Sequence, residues 1–271
     1  LGWQHYLGII MRFSEVMQTV VRQGEQWTAE FGEDWLQGRS AFGGMQVALV
    51  VRALRDLVPA TTPLRTVQVT FLAPVPAGRV EIQARVLREG KNTVQLEGRI
   101  VDGEQTLCLV IAVFGVARES TVRVLPQQPP VDAGADVPVF PFIPGLTPAF
   151  TQHFSARWLR GDLPYSGGRK TTSTIELSLK DDGPVDETTI IAFADFIPPL
   201  ALSMLSKPTP GSSLTWMLEL LSDRRDLPCE GWRVDAQLDA AIDGYTSQGI
   251  VLWGPSGEVM ALGRQSMVVF G

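Results

Sequence analysis

The sequence predicts an α+β fold built twice over, with an antiparallel sheet against one apolar helix in each half. Three observations carry that prediction. Seven prolines crowd the stretch Leu125–Pro148 (Pro126, Pro129, Pro130, Pro138, Pro141, Pro144 and Pro148) and divide the chain into two nearly equal parts. Each part holds one strongly apolar helical stretch. Each helix is followed by strands in the same order, and even the endings agree: Ala112-Val113-Phe114-Gly115 against Val268-Val269-Phe270-Gly271. Such self-similarity marks a duplicated unit, and a helix followed by antiparallel strands marks α+β layering.

In the first half the helix spans Gly44–Val58, apolar over most of its circumference and therefore a core helix. Arg65–Leu72 follows as an alternating strand. Arg79–Leu87 sets Val80, Ile82, Ala84 and Val86 against Glu81, Gln83 and Arg85, and Thr93–Val101 repeats the pattern. A period of two marks half-buried strands. Asp102-Gly103 is a tight-hairpin signal, and Thr106–Val116, apolar on both faces, reads as a central strand. Proline cannot enter a helix interior or a central strand, so 118–149 reads as a semi-extended linker. The domains are then 1–117 and 150–271. In the second half the helical stretch is expected over Ile191–Ser206, and Pro198 and Pro199 fit a first turn just after Asp195. Strands are expected at Leu214–Leu221, Arg233–Ala240, Gly249–Trp253 and Val259–Phe270.

Composition narrows the function. The chain has 271 residues and a net charge of -6, with 45% hydrophobic and 19% charged residues. That is a well-packed globular protein, with no basic block for nucleic acid and no apolar run long enough to span a membrane. Two cysteines far apart, Cys108 and Cys229, argue against a disulfide framework or a metal site and for a reducing, cytoplasmic compartment. Leu1–Ile10 lacks the basic start and cleavage site of a signal peptide; Met11 is a candidate start, with those ten residues an upstream extension.

Nucleophile elbows, phosphate loops and His-Glu-x-x-His are all missing. The two histidines, His5 and His153, read as surface or structural. Enzymatic chemistry would have to come from carboxylate, amide and hydroxyl groups. Asp195 is a lone carboxylate in the apolar run Ile190–Leu205. It reads either as a helix N-cap or first-turn acid or as a desolvated carboxylate poised to deprotonate water. Counted back from the shared Phe-Gly, Gln265 falls opposite Leu109, and Thr215 falls near Thr66. Polar residues in one half only suit a duplicated unit that kept a single site.

These segments resemble the acyl-CoA thioesterase II group and its thioesterase-like relatives of the double-hotdog type. The resemblance rests on Arg39-Ser40-Ala41-Phe42-Gly43-Gly44 and on Val67-Gln68-Val69-Thr70-Phe71-Leu72-Ala73-Pro74. In the second half it rests on Ala194-Asp195, Leu214-Thr215-Trp216 and Gly263-Arg264-Gln265-Ser266-Met267. It implies two tandem hotdog domains, the first with a degenerate site, and an Asp–Thr–Gln set orienting a hydrolytic water. By position that set falls on Asp195, Thr215 and Gln265. One departure stands out: the family often has Asp and His just after the Thr, where this chain has Trp216 and Met217.

The activity implied is hydrolysis of an acyl-CoA thioester to free acid and coenzyme A, with Asp195 as base and no cofactor or metal. Helix N-termini supply candidate oxyanion donors, and Gly43 and Gly44 permit close approach of the substrate. Phe193, Met204, Trp216 and Met217 are candidate acyl-lining residues. Arg39, Arg65, Arg169 and Lys170 are candidate phosphate partners. A place in fatty acid metabolism and a homodimer or higher homo-oligomer are further implied. The alternatives are a non-catalytic acyl-CoA or lipid-binding module, a structural subunit, and a hydratase. The hydratase is disfavoured because Tyr165-Ser166-Gly167-Gly168 lacks the Asp and His that such chemistry uses.

Overall fold

The computed structural model describes residues 10–132 and 136–270. His5 and nearly all of the upstream segment lie outside the described residues. In chain order the elements are α1 (Phe13–Gln18), β1 (Val21–Gln23), β2 (Gln26–Phe31), β3 (Leu36–Gln37), β4 (Ser40–Ala41), α2 (Gly43–Arg55), β5 (Leu64–Phe71), β6 (Gly78–Glu89), β7 (Thr93–Asp102) and β8 (Gln105–Gly115). After the proline-rich segment come β9 (Phe154–Arg160), β10 (Thr172–Leu179), α3 (Glu187–Ala194), β11 (Gly211–Leu220), β12 (Trp232–Ile242), β13 (Tyr245–Trp253) and β14 (Val259–Val269). Among the described residues no helix is long and apolar enough to cross a membrane.

Among the described residues all strands except the small β3–β4 hairpin join one twelve-stranded antiparallel sheet, ordered β1-β2-β6-β7-β8-β5-β11-β14-β13-β12-β10-β9. The two halves meet at β5 and β11, which pair antiparallel from Thr66↔Glu219 to Thr70↔Thr215. Both core helices lie against the sheet and pack directly on each other. A Cβ added to Gly44 would stand 3.1 Å from Ala192 Cα, so small residues set how closely the helices approach. This is the double hotdog architecture.

Each half carries the same β-bulge. The β5–β8 register slips between Leu64 and Thr66, and the β11–β14 register slips between Ser213 and Thr215. The bulged residues, Arg65 and Leu214, are therefore equivalent. An extra residue shifts all later pairing by one, so Trp216↔Gln265 in the second half corresponds to Val67↔Ala112 in the first. The counterpart of Gln265 is Ala112, not Leu109.

The second core helix also differs from expectation. It begins four residues early, where the Asp186 side chain accepts from the Thr188 and Thr189 N–H groups at 2.8 and 3.3 Å. It stops at Asp195 (φ -95°, ψ -1°) because Pro198 and Pro199 follow, and a residue before proline is pushed out of the helical region. A short 3-10 turn, Leu200–Met204, occupies the rest of the predicted span.

Among the described residues, 116–148 form neither helix nor strand. This segment is anchored to the second half. The Arg233 and Arg160 guanidinium groups donate to the Pro129 and Pro130 carbonyls, and the Phe140 N–H donates to Ala156 O on edge strand β9.

At the end of the helix pair remote from Asp195, Arg55 joins the halves. Its Nε donates to Glu187 Oε1 at 2.7 Å, its Nη1 donates to the Thr62 carbonyl at 2.8 Å, and its guanidinium lies 4.4 Å from the Phe114 ring centroid. Both side chains of the pair are nearly buried, at 14% and 10% exposure. Glu187 Oε2 also accepts from the half-exposed Arg225 Nη2 at 3.3 Å, so removing Arg55 costs Glu187 its shorter and more buried partner but not its only one. Arg55→Met is therefore expected to lower the unfolding free energy by about 2 kcal/mol, read from urea denaturation; a change within experimental error would refute this inter-half lock.

Candidate active site

Asp195 closes α3 at the point where that helix meets the N-terminus of α2. Its Oδ2 accepts the Gly44 N–H at 2.6 Å, and its Oδ1 accepts from Gln265 Nε2 on β14. It is therefore not an N-cap of its own helix, as the sequence reading allowed. It caps the other half's helix instead, where Phe42 at the N-cap position makes no side-chain bond. The first N–H groups of α2 have no intrahelical acceptor, and a distant carboxylate supplies one.

Local sequence builds this meeting point. The backbone at Gly43 lies so close to the acid that an added Cβ would stand 2.6 Å from Asp195 Oδ2 and 3.2 Å from Phe71 Cζ. The turn into α2 is held by Gln46, whose Nε2 donates to Ala41 O at 2.7 Å, and by Ser40, whose Oγ accepts the Val75 N–H at 3.0 Å. Phe150 stacks on Phe42 with ring centroids 4.0 Å apart and meets Phe196 edge-on, walling the site with apolar surface.

The electrostatics follow from this burial. Asp195 is 9% exposed. Desolvation pushes its pKa up from 3.8 to about 7, partly opposed by the hydrogen bonds from Gln265 and Gly44. The helix dipoles act in opposite senses: the C-terminus of α3 disfavours the anion and the N-terminus of α2 favours it.

The other predicted residues divide. Asp195 and Gln265 are brought together; Thr215 is not. It is exposed on β11 opposite Ser266, on the face turned away from the helices. The bulge at Leu214 is the reason. On the inner face of β11 the hydroxyl is Ser213, paired with buried Met267 two residues from Gln265. Sequence reading missed Ser213, because only the register slip reveals which of the hydroxyls faces inward.

Strand alternation also corrects Met217, which is 39% exposed on the outer face and cannot line an inner groove. Trp216 does face inward beside Gln265. It is buried, and its Nε1 has no hydrogen-bond partner among the described residues. Phe193 is fully buried in the core of the second half, stacked on Trp232 with centroids 4.7 Å apart. Gly43 and Gly44 flank the acid, as described.

His153 is buried against Trp35, its Nε2 2.9 Å from Asp34 Oδ2, and does not pair with Asp195. Cys108 and Cys229 are free and buried; burial pushes their thiols up to about 12 and about 11, which keeps them protonated at neutral pH. Arg39, Arg169 and Lys170 are exposed, while Arg65 donates to Gly115 O at the end of β5 remote from Phe71.

Residues 31–115 match the family model of the acyl-CoA thioesterase N-terminal domain, and residues 132–269 match that of the C-terminal domain. No curated protein matches the chain. Among solved structures, a hot dog-fold protein of Alicyclobacillus acidocaldarius superposes with a TM-score of 0.86 at 20% identity, over 97% of this chain and 99% of that one. The tesB protein of Mycobacterium avium subsp. paratuberculosis gives 0.77 at 14% identity, over 96% and 100%. The acyl-CoA thioesterase II TesB2 of Mycobacterium marinum gives 0.74 at 14%, over 95% and 97%.

The raised Asp195 pKa has a stability consequence of definite sign. The folded protein holds this proton up to about pH 7, whereas the unfolded chain loses it near 3.8. The associated stability is full below the lower value and is lost as pH rises through the higher one. Asp195→Asn removes that loss. Its melting temperature is expected to match wild type near pH 4 and to exceed it at pH 8, by the equivalent of at most about 4 kcal/mol. A difference that does not vary with pH would contradict the assignment.

Proposed function

Because the chain belongs to the acyl-CoA thioesterase family, and is by that membership a thioester hydrolase, we propose that it cleaves acyl-CoA by Asp195-assisted attack of water. The observation that carries this reading is the buried Asp195 carboxylate held between Gly44 N–H and Gln265. A thioester carbonyl is already electrophilic, so a positioned water with a base suffices and no covalent intermediate is required. Asp195 takes the water proton as the water oxygen bonds to the carbonyl carbon. The tetrahedral intermediate then expels the thiolate as the C–S bond breaks, and Asp195 returns the proton to sulfur. A base with a pKa of about 7 is far stronger than a solvated aspartate and is about half ionised at neutral pH.

The remaining groups have roles suited to their places. Gln265 orients the carboxylate through one amide N–H and leaves a second N–H and a carbonyl for the water. Ser213 supplies the hydroxyl in place of Thr215. The N-terminus of α3 is already capped by Asp186, so α2 is the better source of oxyanion donors. Gly44 N–H is committed to Asp195, which leaves the neighbouring first-turn groups of Gly43 and Met45. The Trp216 indole N–H, unpartnered among the described residues, is a further donor for substrate.

The test is thiol release from acyl-CoA esters of increasing chain length. Wild type is expected to turn over, with kcat rising with pH to a plateau and a midpoint near 7. Asp195→Asn is expected to lose about a hundredfold or more. Binding without thiol release in wild type would replace hydrolysis with a binding role, and an active Asp195→Asn would remove Asp195 as the base.

The two hydroxyls can be separated in the same assay. Ser213→Ala is expected to lower kcat about tenfold or more, while Thr215→Ala leaves it within about twofold, as surface substitutions do. The reverse ranking would restore Thr215 to the site.

A further inference from the structure

Gln248 is fully buried on β13, in direct register with Gln265 on β14. The two glutamines stand side by side on the inner face of the sheet. Gln265 grips the Asp195 carboxylate, and Gln248 grips the backbone a few residues beyond it. Its Oε1 accepts the Leu200 N–H at 2.9 Å, and its Nε2 donates to Pro198 O at 3.4 Å.

That segment needs such a partner. The Asp195 N–H makes the last α-helical bond, to Ile191 O at 3.2 Å, and Pro198 and Pro199 beyond it contribute no N–H groups. The 3-10 turn starts at Leu200, whose N–H has no acceptor within its own turn. Leu200 is itself buried at 6% exposure, so water does not readily serve it. Both ends of one buried amide are thus spent on a single loop, and that loop fixes where Asp195 exits α3.

We propose that Gln248 is a positioning residue for Asp195: by fixing the Pro198–Leu200 turn it keeps the carboxylate between Gly44 and Gln265. It does not touch the reacting atoms. The proposal rests on the reading of Asp195 as base. Among the described residues no charged side chain contributes to the ionisation of Asp195; burial, Gln265 and Gly44 set it. Loosening the turn therefore weakens the two bonds that stabilise the anion, and the proton is held to higher pH.

The experiment is a double-mutant cycle of Gln248→Met, similar in volume but without the amide, with Asp195→Asn. In each protein kcat, KM, the pH midpoint of kcat and the melting temperature are measured. Gln248→Met is expected to lower kcat about tenfold or more, with KM changed less than about twofold and the midpoint moved upward by about half a unit or more. In the Asp195→Asn background the same change is expected to cost less than about twofold, because it acts through Asp195. A merely structural glutamine would lower the melting temperature and the amount of active enzyme but leave the midpoint in place. An unmoved midpoint, or losses that multiply in the double mutant, would overturn the proposal while leaving Asp195 as base. Full activity of Asp195→Asn alone would instead overturn the base reading and this proposal with it. Should Gln248→Met fail to fold, Gln248→Asn, whose amide is one methylene shorter, is judged by the same criteria.

Discussion

The contact between the Asp195 carboxylate and the first turn of α2 is the constraint around which the molecule is organised. A buried anion needs donors, and the α2 N-terminus needs an acceptor that Phe42 does not provide. Each need is met only if the two halves sit at one fixed offset. The glycine at 43 follows from that offset, since a side chain there would displace the acid. At the far end of the helix pair, Arg55 and Glu187 fix the same offset again. The helices are clamped at both ends by polar contacts, with a close apolar crossing at Gly44 and Ala192 between them.

The duplication is visible in the bulges, and the divergence is visible around them. Ser213, Trp216 and Gln265 in the second half correspond to Leu64, Val67 and Ala112 in the first. Helix α2 contains no acidic residue to answer Asp195. At the contact with Asp195 the first half presents backbone: the Gly43–Gly44 turn and the Gly44 N–H.

The strands with a strict period of two were legible in the sequence, as were the first core helix and the duplicated order, because alternation and helical periodicity report burial directly. Asp195 was legible as a lone carboxylate in an apolar run, and Gln265 as a polar residue opposite an apolar one in the first half and through the family resemblance. What escaped depends on context that periodicity does not carry. A bulge at Leu214 moved the inward hydroxyl from Thr215 to Ser213 and left Met217 outside. Pro198 and Pro199 fit the first turn of a helix as well as its end, so the apolar run hid a helix that stops at Asp195. Helix α1 and strands β1 to β4, β9 and β10 were not anticipated; β9 lies at the sheet edge, where half-exposed residues such as Arg157 and Trp158 blur the alternation.

The proline-rich segment that lies along the second half has a consequence beyond connection. Two identical subunits related by a two-fold axis must change together, since every substitution appears on both sides of their interface. Tethering the halves in one chain releases them from that symmetry. It also makes their association intramolecular, at an effective concentration on the order of millimolar set by tether length instead of by expression level. One half is then free to specialise in holding the acid and the other in presenting the helix end that receives it, with neither needing to do both.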